Sequence, residues 1–217
     1  MERILCCTKC RSTYKSNYLG KNPVCSSCKR YFIDNIEWEE NSRIKAAGGF
    51  TYATPQTKKM GLDAENNFVK ICKKYKNLKL RGATKYEEIN FHYDFVMEID
   101  KITNKIYARI EVKSIKCEYR GGKPNPNIIY LEYKNVNGGD GWLYGKSDFI
   151  AFEQKSYFVI FSRIELLNFA ENKKEKMKLS KNSGYINTLY SRYNRNDLIG
   201  CFSLEDLKQN LSYFNIN

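Results

Sequence analysis

The sequence predicts an α/β protein: a central mixed β-sheet flanked by helices, preceded by a small cysteine-punctuated module. Three observations carry this reading. Two CxxC pairs stand within the first 28 residues. A stretch with helical spacing follows at residues 62 to about 76, where Leu62, Phe68, Val69, Cys72 and Tyr75 share one face. Period-two alternation then runs through residues 91–99 and 106–112, and further strand-like runs follow to residue 161.

A chain of 217 residues has room for one domain of ordinary size and a module too small to fold without outside help. The boundaries are predicted as a module over 1–36, a linker over 37–60 broken by Gly48, Gly49 and Pro55, and a main domain over 61–217. Apolar residues make up 42% and charged residues 28%, which places the chain among soluble globular proteins rather than disordered ones. No run approaches the roughly 18 apolar residues of a membrane span. The start, Met1 to Leu5 followed by Cys6 and Cys7, has no apolar region of a secretory signal, so a cytoplasmic location is expected. In that reducing compartment the cysteines read as metal ligands and buried thiols.

The formal net charge is +13, shared as +6 over residues 1–60 and +7 over 61–217. A polyanion is the expected partner, and nucleic acid is the commonest. In the module, Cys7-x-x-Cys10 and Cys25-x-x-Cys28 are separated by fourteen residues. Two thiolates on each tight knuckle bind one tetrahedral ion together and leave no open position for water, so Cys7, Cys10, Cys25 and Cys28 are predicted ligands of a structural Zn²⁺. Cys6 is an adjacent spare. Zinc binding would supply much of the module's folding free energy. Lys9, Arg11, Lys15, Lys21, Lys29 and Arg30 surround these ligands, which suits a nucleic-acid grip; a protein contact or a structural knob is the alternative.

In the main domain, Phe91, Tyr93, Phe95, Met97 and Ile99 alternate, and after the turn residues Asp100 to Lys105 the pattern resumes with Ile106, Ala108, Ile110 and Val112. These runs predict an antiparallel hairpin. Alternation puts Glu111 and Lys113 on one face, opposite the apolar residues, and the hairpin brings Asp94 beside Glu111. Glu65 interrupts the apolar face of the first helix, and a charge directed inward requires a partner. Further strands are predicted at 127–134, 148–152, 157–161 and 197–202, helices at 163–170 and 204–214, and a polar loop at 171–184.

A helix with an acidic residue, a strand with Asp and a strand with Glu-x-Lys resemble the PD-(D/E)XK nuclease superfamily, over residues 60 to about 165. Tyr93 stands where the family name has Pro. The resemblance implies a restriction-endonuclease-like core and a Mg²⁺- or Mn²⁺-dependent nuclease that hydrolyses phosphodiesters of DNA, with RNA the lesser alternative. It implies that Asp94, Glu111 and the backbone carbonyl of Val112 hold the catalytic ion, that Lys113 positions or deprotonates water, and that Glu65 assists. An iron–sulfur cluster, as some members carry, would need one cysteine before the core and three after it, whereas all four CxxC cysteines precede it here. Cutting both strands or resolving a junction takes two active sites, which a homodimer would supply. Glu132 either joins the metal site or is a surface charge opposite Lys134; His92 either contacts substrate or is an ordinary surface residue. The glycine-rich stretch 138–145 lacks the phosphate-loop pattern and reads as a packed turn or as a loop offering Trp142 or Tyr144 for base stacking. The rival reading is a noncatalytic zinc-ribbon protein that binds nucleic acid, in which Glu-x-Lys is a solvated face.

Overall fold

The computed structural model describes residues 3–7, 13–16, 32–34, 55–100, 105–117, 122–180, 184–192 and 195–217. The chain divides into two compact units, Met1–Phe50 and Thr51–Asn217.

In the first unit, β1 (Arg3–Cys7) pairs antiparallel with both β2 (Thr13–Ser16) and β3 (Phe32–Asp34), giving the order β2-β1-β3. Cys7 closes the central strand. The other predicted zinc ligands, Cys10, Cys25 and Cys28, lie outside the described residues.

The second unit is α/β, with two mixed sheets flanked by helices, as the sequence predicts at that level. Its elements are α1 (Pro55–Cys72), β4 (Leu78–Gly82), α2 (Lys85–Phe91), β5 (Phe95–Asp100), β6 (Lys105–Lys113), β7 (Ile128–Lys134), β8 (Phe149–Glu153), β9 (Phe158–Ser162), α3 (Arg163–Lys174), β10 (Lys178–Ser180), β11 (Thr188–Tyr190), β12 (Leu198–Ser203), α4 (Leu204–Asn210) and β13 (Tyr213–Ile216). One sheet has the order β13-β9-β8-β6-β5-β4, with β6 and β8 parallel and the other neighbours antiparallel. The other has the order β10-β11-β12-β7. No described helix is long and apolar enough to cross a membrane.

Period-two alternation explains the layering. Phe158 and Ile160 of β9 pack in one core with Phe95, Met97, Ala108, Ile110 and Val112, beneath Ala64, Phe68, Ile71 and Cys72 of α1. Val159 and Phe161, which alternate with them in sequence, enter a second core with Ile129, Leu131 and Tyr133 of β7, Leu166 of α3 and Phe202 of β12. Strands β8 and β9 of the six-stranded sheet are thus buried on both faces. This explains why β8 and β9 read as nearly continuous apolar runs rather than alternating ones.

Several elements depart from the sequence reading. Residues Lys85–Phe91 form a helix, α2, over a stretch for which the sequence predicts no element, and the helix takes in Phe91, the first residue of the predicted strand. Thr84 caps it, accepting from the Glu87 amide while the Glu87 side chain accepts from the Thr84 amide. Such reciprocal capping fixes the first turn despite the aromatic alternation downstream. Residues 171–174 continue α3, and the predicted polar loop contains β10. The last predicted helix stops at Asn210, after which β13 pairs with β9. Leu62, expected on the buried face of α1, is 57% exposed; the buried stripe instead runs through Ala64, Phe68, Ile71 and Cys72.

Phe68 is fully buried, with its ring 5.2 Å from Phe158 and 5.8 Å from Phe95. Phe68→Ala is expected to cost about 3–5 kcal/mol of stability, the usual penalty for an emptied aromatic site. Urea denaturation measures it, and a loss under about 1 kcal/mol would contradict the packing of α1 on this sheet.

Candidate active site

Asp94 stands one residue before β5. Its amide donates to the Ile110 carbonyl at 2.8 Å, and its own carboxylate accepts the Val112 amide at 2.7 Å. The side chain therefore carries on the hairpin's hydrogen bonding where the backbone ladder of β5 and β6 ends, at Phe95 opposite Ile110. Glu111 and Lys113 sit on the face of β6 opposite Ile110 and Val112, as alternation requires. Their side chains form an ion pair, with Glu111 only 7% exposed. The link that the structure gives from Val112 to the site is its N–H rather than its carbonyl.

These charges lie close enough to shift one another. Burial pushes the Asp94 carboxyl up to about 8, and the negative charges of Glu111 and Glu65 add to the rise; Lys113 and the Val112 amide oppose it. Glu65 thus reaches the site electrostatically from α1, although it borders the buried stripe rather than lying at its centre. Burial disfavours the Lys113 cation, but Glu111 and Asp94 more than compensate, so its pKa stands above the ordinary lysine value. In the absence of a bound ion, Lys113 therefore carries its positive charge at neutral pH and can donate hydrogen bonds.

The opposite wall comes from the second sheet. Glu132 of β7 has its pKa raised by burial, against the pull of Lys113, Arg192 and the Trp142 amide. Glu132 is thus mostly buried near Lys113 and Arg192 rather than a surface charge opposite Lys134. Gly141 makes this wall possible. Any Cβ there would collide with the Glu132 carbonyl, and without one the Gly141 amide donates to Tyr133 at 3.0 Å. The chain then turns through Trp142–Tyr144, a single 3-10 turn. Trp142 is buried and lies under the Lys113 ammonium, 4.8 Å from ring centroid to Nζ. The glycine-rich stretch is accordingly a packed turn, with Trp142 against Phe152 and the Tyr144 hydroxyl donating to Glu171.

His92 has a positive φ of 54° and closes α2, its amide donating to Glu88; its Cβ lies against Gly145. It serves the turn that leads to Asp94. Tyr93 is buried and its hydroxyl donates to Glu87 at 2.6 Å. Two residues near the site escaped the sequence reading: Lys116, just beyond β6, and Arg192, just beyond β11. The Arg192 amide donates to Asp197 at 2.9 Å, its guanidinium pairs with the same buried carboxylate, and Nη2 lies 4.0 Å from Glu132. Only non-local pairing of β11, β12 and β7 brings Arg192 to Glu132, so no local sequence signal marks it.

Among the described residues, no three His, Cys, Asp or Glu side chains are arranged as a metal centre; the cation beside the carboxylates is Lys113. By ligand type alone, Asp94, Glu111 and Glu65 are all carboxylates, the donor chemistry that hard divalent ions take. Cys72 and Cys201 are buried thiols, as expected, whereas Cys117 is half-buried. No family model, curated protein or solved structure matches this chain.

The raised Asp94 carboxyl has a consequence for stability. Folded, it holds its proton up to about pH 8; unfolded, it releases it near the ordinary value of 3.8. Between those limits the folded state binds more protons, so stability falls as pH rises from about 4 to about 8. Asp94→Asn keeps an acceptor for Val112 and removes the titration. Urea denaturation across that range, without added divalent ions, should show a shallower fall for the variant and greater stability than the parent at pH 8. Parallel curves would contradict the burial assigned to Asp94.

Proposed function

We propose that the second unit is a metal-dependent nuclease of the PD-(D/E)XK kind that hydrolyses phosphodiester bonds of DNA, and that the N-terminal CxxC pairs hold a structural Zn²⁺ that helps grip the DNA. The observation that carries the reading is the coupling of buried Asp94 to Glu111 and Glu65, with Lys113 alongside. Such a cluster of carboxylates is costly without added positive charge. Its order along the chain, a helix with Glu65, then Asp94 just before β5, then Glu-x-Lys on β6, resembles that of the superfamily's catalytic hairpin. A +13 chain supplies the long-range attraction for a polyanion.

Mg²⁺ or Mn²⁺ bound there would lower the pKa of a coordinated water and neutralise charge on the phosphate. Asp94 is held in place by the Val112 amide, so its free carboxylate oxygen has a fixed direction. Lys113 brings a permanent positive charge to where the phosphate gains negative charge during attack. Its place over the Trp142 ring and beside Glu111 restricts the ammonium, which favours positioning of water over proton abstraction. Glu132 adds a carboxylate facing Lys113 from the second sheet. Support for the zinc proposal comes from the spacing of the cysteines and from the three-stranded antiparallel sheet, in which Cys7 ends the central strand.

Cleavage of labelled duplex, single-stranded, flap and four-way-junction DNAs with Mg²⁺ or Mn²⁺ tests the catalytic reading. The parent should cut at least one of them, and Lys113→Ala should lose roughly 10²- to 10³-fold in rate, the usual cost of one preorganised charge-stabilising donor. Binding without cutting by the parent would leave the noncatalytic nucleic-acid-binding reading. Normal cutting by Lys113→Ala would remove the Glu-x-Lys assignment. For the module, elemental analysis should find stoichiometric zinc in the parent and its loss in Cys10→Ser and Cys25→Ser; zinc-free parent protein would end the proposal.

A further inference from the structure

Three cations lie near one another beside the carboxylates: Lys113, paired with Glu111; Lys116, whose neighbour Cys117 is hydrogen-bonded to Tyr130 of β7; and Arg192, 4.0 Å from Glu132, two residues along the same strand. Arg192 is clamped by Asp197, and Lys113 is paired with Glu111. Among the described residues, the Lys116 ammonium is hydrogen-bonded not to a carboxylate but to the Ser114 hydroxyl, at 3.2 Å. Ser114 is itself buried.

The segment that carries Lys116 is held firmly. Its carbonyl accepts the Asn125 amide at 2.8 Å, and the next carbonyl, of Cys117, accepts the Tyr130 hydroxyl of β7 at 3.3 Å. Lys116 keeps much of its surface open to solvent, yet protein atoms crowd its ammonium. That crowding, with Lys113 and Arg192 nearby, brings its pKa down to about 8. An accessible cation that neighbouring cations destabilise gains more from an arriving anion than an isolated surface lysine does.

We propose that Lys116 and Arg192, flanking Lys113, form a phosphate subsite that takes a phosphodiester of bound DNA adjacent to the one at the carboxylates. The proposal rests on the nucleic-acid function argued above, but it concerns binding and not the cleavage step. Arg192 suits the role because Asp197 holds its guanidinium in one orientation. A fork fixed in that way loses little freedom on meeting a phosphate. Lys116 supplies a second point charge from the other sheet, so the subsite spans the same two walls as the carboxylate cluster.

Fluorescence anisotropy with labelled duplex and single-stranded DNA, over a series of salt concentrations and with no divalent ion added, tests this. Lys116→Gln should weaken binding roughly tenfold near 0.1 M salt and reduce the slope of log K against log salt by about one, the loss of one phosphate contact. Lys116→Arg should keep the parent's slope. In cleavage assays Lys116→Gln should raise KM while kcat stays within about threefold, since uniform binding is what is removed. An unchanged slope and affinity in Lys116→Gln would overturn the subsite. So would an equal loss in Lys155→Gln, whose lysine is exposed between β8 and β9, because the effect would then be the general attraction of a basic chain. A reduced slope in Lys116→Gln from a parent that cuts no DNA would sustain the subsite and remove the nuclease reading.

Discussion

The hydrogen bond from the Val112 amide to the Asp94 carboxylate, 2.7 Å long, is the constraint on which the arrangement of the site depends. It sets the register at the open end of the β5–β6 hairpin and places a carboxylate beside Glu111. Burying two carboxylates together is expensive, and each surrounding feature bears on that cost. Lys113 pairs with Glu111, the Trp142 ring sits under the ammonium, and Gly141 lets that turn approach Glu132 closely enough to form a wall. Even so, the Asp94 carboxyl is pushed up to about 8. The cost of burying that carboxyl, with the repulsion of Glu111 and Glu65 added to it, is left only partly offset by Lys113 and the Val112 amide.

What could be read from the sequence follows from how local each signal is. Period-two alternation is set by the backbone, so Glu111 and Lys113 were bound to share a face, and the short turn between the two runs made an antiparallel hairpin the natural pairing. Glu65 was legible for a reason that holds only in part. It breaks an apolar pattern on α1, but that pattern included Leu62, which is exposed, so the carboxylate borders the stripe around Phe68 instead of occupying it. The helix α2 was obscured because Phe91, Tyr93 and Phe95 alternate as a strand would. Thr84 and Glu87, at capping-box spacing, were the available signal and outweigh that alternation locally.

Other parts depend on pairing between distant segments, and no window of sequence contains them. β7 reads as a strand from its own residues, but nothing in Ile128–Lys134 says that it leaves the β6–β8 sheet to pair with β12, nearly seventy positions on. That choice puts Glu132 opposite Lys113 and brings Arg192 within reach. The short strands β4, β10 and β13 are likewise products of tertiary pairing; Leu78–Gly82 and Lys178–Ser180 carry little intrinsic strand preference. Tyr213 and Phe214 fit a helical spacing equally well until β9 offers them an edge.

A basic chain with an acidic centre meets a conflict that its charge layout resolves in two steps. At distances beyond a Debye length, about 8–10 Å at moderate salt, the +13 total dominates and draws a polyanion in. Closer to the site, Glu111 and Glu65 repel the same phosphates, and Asp94 joins them wherever it gives up its proton. Under the proposed function, a divalent ion would reverse the sign at the acidic end, while Lys116 and Arg192 would hold the neighbouring phosphate without it. Attraction to the chain and productive approach to the carboxylates are then separate events with separate requirements: the first needs only the lysines and arginines, the second needs the ion. That division follows from the partners of each group: Lys113 is paired with Glu111 at the carboxylates, whereas Lys116 is hydrogen-bonded to the Ser114 hydroxyl.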